Sequence, residues 1–229
     1  MAIAFFDFDR TLITANSGVL WLRSEFRLGN ISWWKAVVAV TWVARYQLGF
    51  ARRGEGLRRA IASLAGTSQA ELRERTVAFY EQYVRSLYRP GARRALEEHR
   101  EQGDELVLLT SSPAYLAELV ADDLRLDAVL CNRFEVDGRG LHTGRSAGDL
   151  CYGDGKLSHA EAHARKRRVS LENCVFYTDS FSDVRVMEAV GRPVAVNPDQ
   201  RLRRVAVARG WPIVDWGRPE SLAVAAAAP

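Results

Sequence analysis

The chain has 229 residues, 48% of them hydrophobic and 26% charged, which suits one substantial core, or a core with a smaller module, and excludes an intrinsically disordered chain. Lys and Arg number 32 against 28 Asp and Glu, and the net charge of +4 is too dispersed to require a nucleic-acid partner, though it mildly favours anionic ligands. Cys131, Cys151 and Cys174 are odd in number and lack CxxC spacing, so reduced, partly buried thiols are expected rather than disulfides or a thiolate zinc site.

The opening MAIAFFDFDR meets an acid by its seventh position and lacks the pattern of a signal peptide, so a cytoplasmic protein is expected. Short apolar runs at Ala2 to Phe8, Glu105 to Thr110, Ala128 to Cys131, Cys174 to Thr178 and Pro193 to Val196 read as buried strands. Helical patterns alternate with them at Ala92 to Glu101, Ala114 to Asp123, Lys156 to Arg167, Ser182 to Val190 and Gln200 to Arg209. Such alternation predicts an α/β fold with a doubly wound, Rossmann-like parallel sheet covered on both faces.

Two departures from that alternation stand out. From Thr14 to Arg89 no strand-like run occurs and the spacing is helical until Pro90-Gly91, which predicts an inserted all-helical cap over residues 15–88, the core being 1–14 and 89–229. RFEVDGRGLHT, Arg133 to Thr143, alternates around an Asp-Gly and predicts a small β-hairpin. Inside the insertion, Ile31 to Phe50 is the most apolar stretch. Its uncharged interval, Ala36 to Ala44, is far shorter than the ~20 residues of a spanning helix, so a buried helix is expected, with a membrane-surface helix as the alternative. The terminal AVAAAAP reads as a frayed tail.

In an open parallel sheet, ligands bind beyond the carboxyl ends of the strands. Asp7 and Asp9 of FFDFDRTLI fall at that end of the first strand, and Asp179 and Asp183 of YTDSFSD follow another. Four acids in one crevice repel unless a cation or a shared proton compensates, and a sparse all-oxygen site suits Mg²⁺. Thr110, Ser111 and Ser112 end the strand ELVLLTSSP, where their hydroxyls and the N–H groups ahead of a helix near Pro113 suit phosphate; Lys156 of GDGKL would neutralise its charge.

FDFDRTL, LLTSS, GDGK and YTDSFSD, in this order, resemble the four motifs of the haloacid dehalogenase superfamily, and the insertion after the first motif resembles its phosphoserine-phosphatase-like branch over about residues 1–200. The resemblance implies Mg²⁺-dependent phosphomonoester hydrolysis of a small phosphorylated metabolite such as phosphoserine or histidinol phosphate. Asp7 would be the nucleophile that forms an aspartyl-phosphate and Asp9 the general acid and base. Mg²⁺ would be held by the Asp7 carboxylate, the Asp9 backbone carbonyl and Asp179. Thr110, Ser111, Ser112 and Lys156 would bind phosphate, Thr11 would tie down the nucleophile loop, and Asp183 would hold a metal water or orient Lys156. Asn16, Ser17 and Trp21 would reach the leaving group, or else cap and pack the first cap helix. The sequence departs from the family at Thr178, where many members have Gly, and at Arg185, in a stretch more often apolar.

Other readings are weighed against this one. A lipid-phosphate phosphatase at a membrane surface, of the phosphatidylglycerophosphate type, would use the apolar Ile31 to Phe50 stretch, and a non-catalytic phosphate-binding protein would keep the fold without turnover. His159 and His163 of HAEAH are spaced for a zinc pair, but Glu161 is misplaced for metalloprotease chemistry, so a solvated helix face is expected. ARKRR, Ala164 to Arg168, suits the negative end of that helix better than RNA.

Overall fold

The first apolar run folds as β1 (Ile3–Phe6), every residue of it buried. The structure, a computed structural model, describes residues 2–30 and 55–219; the Ile31 to Phe50 segment and the Ala-rich tail lie outside the described residues. Along the chain follow α1 (Ser17–Arg27), α2 (Glu55–Ala62), α3 (Gln69–Phe79), α4 (Pro90–Glu101), β2 (Glu105–Pro113), α5 (Ala114–Leu124), β3 (Ala128–Asn132) and the short strands β4 (Phe134–Val136) and β5 (His142–Ser146). The last elements are α6 (Asp154–Arg167), β6 (Val175–Thr178), α7 (Val184–Ala189), β7 (Arg192–Val196), α8 (Gln200–Arg209) and β8 (Ile213–Val214).

Six strands pair in the order β3-β2-β1-β6-β7-β8, all parallel, and β4 with β5 forms a separate antiparallel hairpin. Side chains alternate across β1 and β2 and so divide between two cores. Ala4, Phe6, Leu106 and Leu108 face one, and Ile3, Phe5, Val107 and Leu109 face the other. A sheet buried on both faces explains why these strands read as continuous apolar runs. The chain leaves β1 for β2 and β3 on one side, then crosses to β6 on the other, which puts the topological switch point between β1 and β6.

Several boundaries move from the sequence-based expectation. β1 stops at Phe6 rather than Phe8, because the Asp7 N–H makes the last bond to the Tyr177 carbonyl, and Phe8–Leu12 then coils into a wide turn with Arg10 at φ 58°. β2 runs on to Pro113, and β5 extends the hairpin past Thr143 to Ser146. The helix expected from Ser182 to Val190 divides into a 3-10 turn, Phe181–Asp183, and α7. The two-residue β8 falls below the length at which periodicity registers.

Between β1 and α4 the described residues are helical apart from their connections. Arg75 of α3 pairs with the buried Glu25 of α1, and Trp21 packs edge-on against Phe79. At the base of this insertion, Ile13 and Tyr88 form an antiparallel bridge, and the Arg89 N–H donates to the Leu12 carbonyl. At its far side the loop after α2 docks on the hairpin: Gly66 N–H donates to His142 O, His142 N–H to Thr67 O, and Gln69 N–H to Gly140 O. Tyr80 adds a hydrogen bond to Asp123 of α5, at 2.7 Å. No helix among the described residues is long and apolar enough to cross a membrane.

Candidate active site

At the carboxyl ends of β1 and β6, Asp7, Thr178, Asp179 and Asp183 come together with Lys156, which α6 delivers from the sheet face that carries Phe5 and Phe176. All five are buried. Lys156 Nζ donates to Asp7 Oδ1 at 2.8 Å and to Asp183 Oδ2 at 2.7 Å. Thr178 Oγ1 lies 2.8 Å from Asp183 Oδ2 and 3.4 Å from Asp7 Oδ2. The strand ends and the wide turn create this cluster: the backbone leaves the sheet just where β1 and β6 stop, and the side chains after it converge.

The electrostatics follow from burial. Burial pushes the Asp7 carboxyl up to about 7, with Asp183 and Asp9 acting in the same direction and Lys156 against them. Burial also raises Asp179 well above the usual range, reinforced by Asp7 and Asp183. Lys156 loses some basicity to burial, but Asp183 and Asp7 more than restore it, so it is a firmly held ammonium. Asp9 is raised by burial too, although its Oδ1 accepts the Ser17 N–H at 2.6 Å.

Asp179 is the acid with least support. The one hydrogen bond to its carboxylate among the described residues is from Thr11 Oγ1 at 3.4 Å, while the Asp179 N–H donates to that same hydroxyl at 3.0 Å. Among the described residues no three His, Cys, Asp or Glu side chains converge to cage a metal. Asp7, Asp179 and Asp183 are three buried carboxylates that share one ammonium, a deficit of positive charge that fits a hard cation whose remaining ligands are backbone and water oxygens, the habit of Mg²⁺.

On the other side of Asp7, Thr110 Oγ1 accepts the Ser112 N–H at 3.1 Å, which leaves its own proton free to donate. Ser111 spends its hydroxyl on the Cys151 carbonyl at 2.8 Å. Ser112 Oγ approaches Ser17 Oγ at 3.4 Å, joining β2 to the first helix of the insertion. Asn16 caps α1 through Val19 N–H at 2.9 Å, and Trp21 lies under the Arg75 guanidinium, 5.8 Å from its ring centre.

A sequence model of the haloacid dehalogenase-like hydrolases matches residues 4–188, which takes in all these groups. The chain belongs to that family. A Mycobacterium tuberculosis member named phosphoserine phosphatase SerB1 is 33% identical over 240 residues, spanning 99% of this chain and 77% of that one. A Neisseria meningitidis protein named histidinol-phosphatase is 27% identical, covering 93% of this chain and 98% of its own. Among solved structures, a Bordetella pertussis protein of unknown function superposes with a TM-score of 0.85 at 27% identity, over 94% of this chain and 98% of the other. A phosphoserine phosphatase holding an analogue of its phospho-aspartyl intermediate shares the fold, with a TM-score of 0.68 at 17% identity over 97% of each chain.

Within this haloacid dehalogenase-like chain, one supporting residue escaped the sequence reading. Buried Asn132, at the end of β3, donates to the Ser111 carbonyl at 2.6 Å and accepts the Cys151 N–H at 2.9 Å, fixing the loop that precedes Lys156. Its signal was a polar residue closing an apolar strand at the ligand edge of the sheet. The expectation of a solvated face for His159 and His163 needs correcting. His163 is largely buried and bonds Glu105 Oε1 at 3.1 Å, whereas His159 turns to the Asp149 carbonyl at 3.0 Å. The two rings serve different acceptors because α6 packs one flank on β2. Arg185 points outward, 4.0 Å from Asp154, and α7 packs through Val186 and Met187 instead. The three thiols are free and buried.

Proposed function

We propose that this hydrolase is a Mg²⁺-dependent phosphomonoesterase that turns over a small phosphorylated metabolite, such as phosphoserine or histidinol phosphate, through an aspartyl-phosphate on Asp7. The observation that carries the reading is the shared ammonium of Lys156, 2.8 Å from Asp7 and 2.7 Å from Asp183, in a crevice at the switch point of the sheet. The relatives named phosphoserine phosphatase and histidinol-phosphatase support the substrate class.

Asp7 attacks phosphorus, its oxygen forming the new P–O bond as the alkoxide leaves; water then displaces the carboxylate and phosphate departs. Asp9 gives its proton to the leaving oxygen and later takes one from the attacking water. Burial raises its pKa, which favours the protonated form that the first step consumes. Lys156 and the free proton of Thr110 compensate charge on the phosphoryl oxygens, which is most of what such a transfer asks of a protein. The Asp7 and Asp179 carboxylates and the Asp9 backbone carbonyl would hold Mg²⁺, which supplies Lewis-acid charge neutralisation when bound. The described helices of the insertion act as a cap that excludes water from the crevice, with Asn16, Ser17 and Trp21 at and within the start of α1 nearest the leaving group.

The test is phosphate release from a panel of phosphomonoesters, with phosphatidylglycerophosphate included, with and without Mg²⁺. Hydrolysis of a small monoester that needs Mg²⁺ and falls at least about a thousand-fold in a folded Asp7→Asn variant is the expected result. Retained hydrolysis by that variant overturns the nucleophile assignment, and preference for the lipid overturns the substrate class.

A further inference from the structure

The geometry points to Thr178 as a positioning residue whose hydroxyl holds Asp183 against Lys156 and so keeps the ammonium aligned on Asp7. The inference deepens the proposed function and rests on it where it concerns turnover. Thr178 is fully buried at the end of β6, and its Oγ1 has three polar neighbours: Asp183 Oδ2 at 2.8 Å, Asp7 Oδ2 at 3.4 Å and the Ser180 N–H at 3.2 Å.

A hydroxyl carries one proton and two lone pairs. The Ser180 N–H occupies one lone pair, and the proton goes to the nearer, well-formed contact on Asp183. Asp7 Oδ2 therefore keeps its electron pair for phosphorus. Asp183 Oδ2 in turn receives two donors, Thr178 Oγ1 and Lys156 Nζ, and its Oδ1 is approached by Ser182 Oγ at 3.3 Å. With a glycine at 178, one of the two donors on Oδ2 disappears and that oxygen is left to Lys156 alone. The hydroxyl thus extends a chain of side chains, Asp7 to Lys156 to Asp183 to Thr178, linked by hydrogen bonds of 2.8, 2.7 and 2.8 Å. Small errors in such an arrangement cost rate steeply, because the donors must be aimed before the charge develops.

The near-isosteric Thr178→Val and the conservative Thr178→Ser variants separate hydroxyl from shape. Expected is a kcat fall of about ten-fold or more in Thr178→Val with KM within about two-fold, and recovery to within about three-fold in Thr178→Ser. A valine variant with wild-type kcat, or a serine variant as slow as the valine one, overturns the proposal. A second readout needs no turnover: thermal unfolding, without Mg²⁺, of Thr178→Val, Asp183→Asn and the double variant. Non-additive shifts are expected, since the two groups share a buried bond, and additive shifts overturn the pairing. If the wild-type enzyme hydrolyses no phosphomonoester, the functional reading fails while the unfolding cycle still decides whether Thr178 holds Asp183.

Discussion

Lys156 and Asp7, 149 residues apart in the chain, meet at 2.8 Å with almost no exposure to solvent. The contact exists only when β1 and α6 have been brought together across β2, so it reports the assembled core as well as the chemistry. Replacing the lysine by methionine leaves Asp7 and Asp183 as two buried acids with no ammonium between them. Breaking a buried pair costs about 3–5 kcal/mol, and kcat is expected to fall at least about a hundred-fold. Thermal unfolding and phosphate release on the same preparation check both; a variant with normal turnover would remove Lys156 from the phosphate site.

Gly155 offers a backbone route to the same lysine. A Cβ there would lie 1.9 Å from the Leu150 carbonyl oxygen, so Gly155→Ala must shift the start of α6. The expected cost is about 1–3 kcal/mol of stability, with a loss of turnover as Lys156 moves off Asp7. Gly138→Ala, at a position where a Cβ meets nothing within 4 Å, is the control and should leave both unchanged.

Magnesium should stabilise the fold. Two carboxylates that burial makes reluctant to ionise gain most from a cation, and a ligand at about 100 times its Kd adds about 2.7 kcal/mol, an upward shift of several degrees in the unfolding midpoint of a chain this long. Asp179→Asn should abolish the Mg²⁺-induced shift. Equal shifts in wild type and variant, read by scanning calorimetry, would place the ion elsewhere.

Asp104 sets an acid limit at the opposite end of the sheet. Burial pushes its carboxyl up, but hydrogen bonds from His99 and from the Ala2 N–H outweigh this and hold it below its usual 3.8. A depressed folded value means that the unfolded chain binds the proton first. The stabilisation is therefore complete well above pH 3.8 and is lost as pH falls through the lower folded value. Asp104→Asn should cost about 1–2 kcal/mol at pH 7 and much less near pH 3, measured by urea unfolding at each pH.

The parallel sheet was legible because strands buried on both faces leave unbroken apolar runs, and Gln200 to Arg209 was legible to the residue because Asp199 caps it and Gly210 ends it. The acids of the site were legible because each follows such a run. What the sequence hid was direction. Nothing in HAEAH distinguishes the histidine that packs on Glu105 from the one that turns to the Asp149 carbonyl, and nothing in LLTSS shows that Ser111 spends its hydroxyl on Cys151. Thr178 reads in the sequence only as a missing glycine, since its use of one lone pair and its proton depends on residues brought together by folding.

The backbone bonds between residues 66–69 and 140–142 make the helical insertion and the β4–β5 hairpin one piece of architecture, although α4, β2, α5 and β3 separate them in sequence. Gly144 enforces the fit, for its missing Cβ would sit 3.1 Å from Ala62 O and from Ala65 Cβ. Exchanging the insertion alone with that of a relative would set a foreign loop against this hairpin. A transplant meant to carry a new substrate preference has to move two discontinuous segments together, and inheritance of the trait should follow the same pairing.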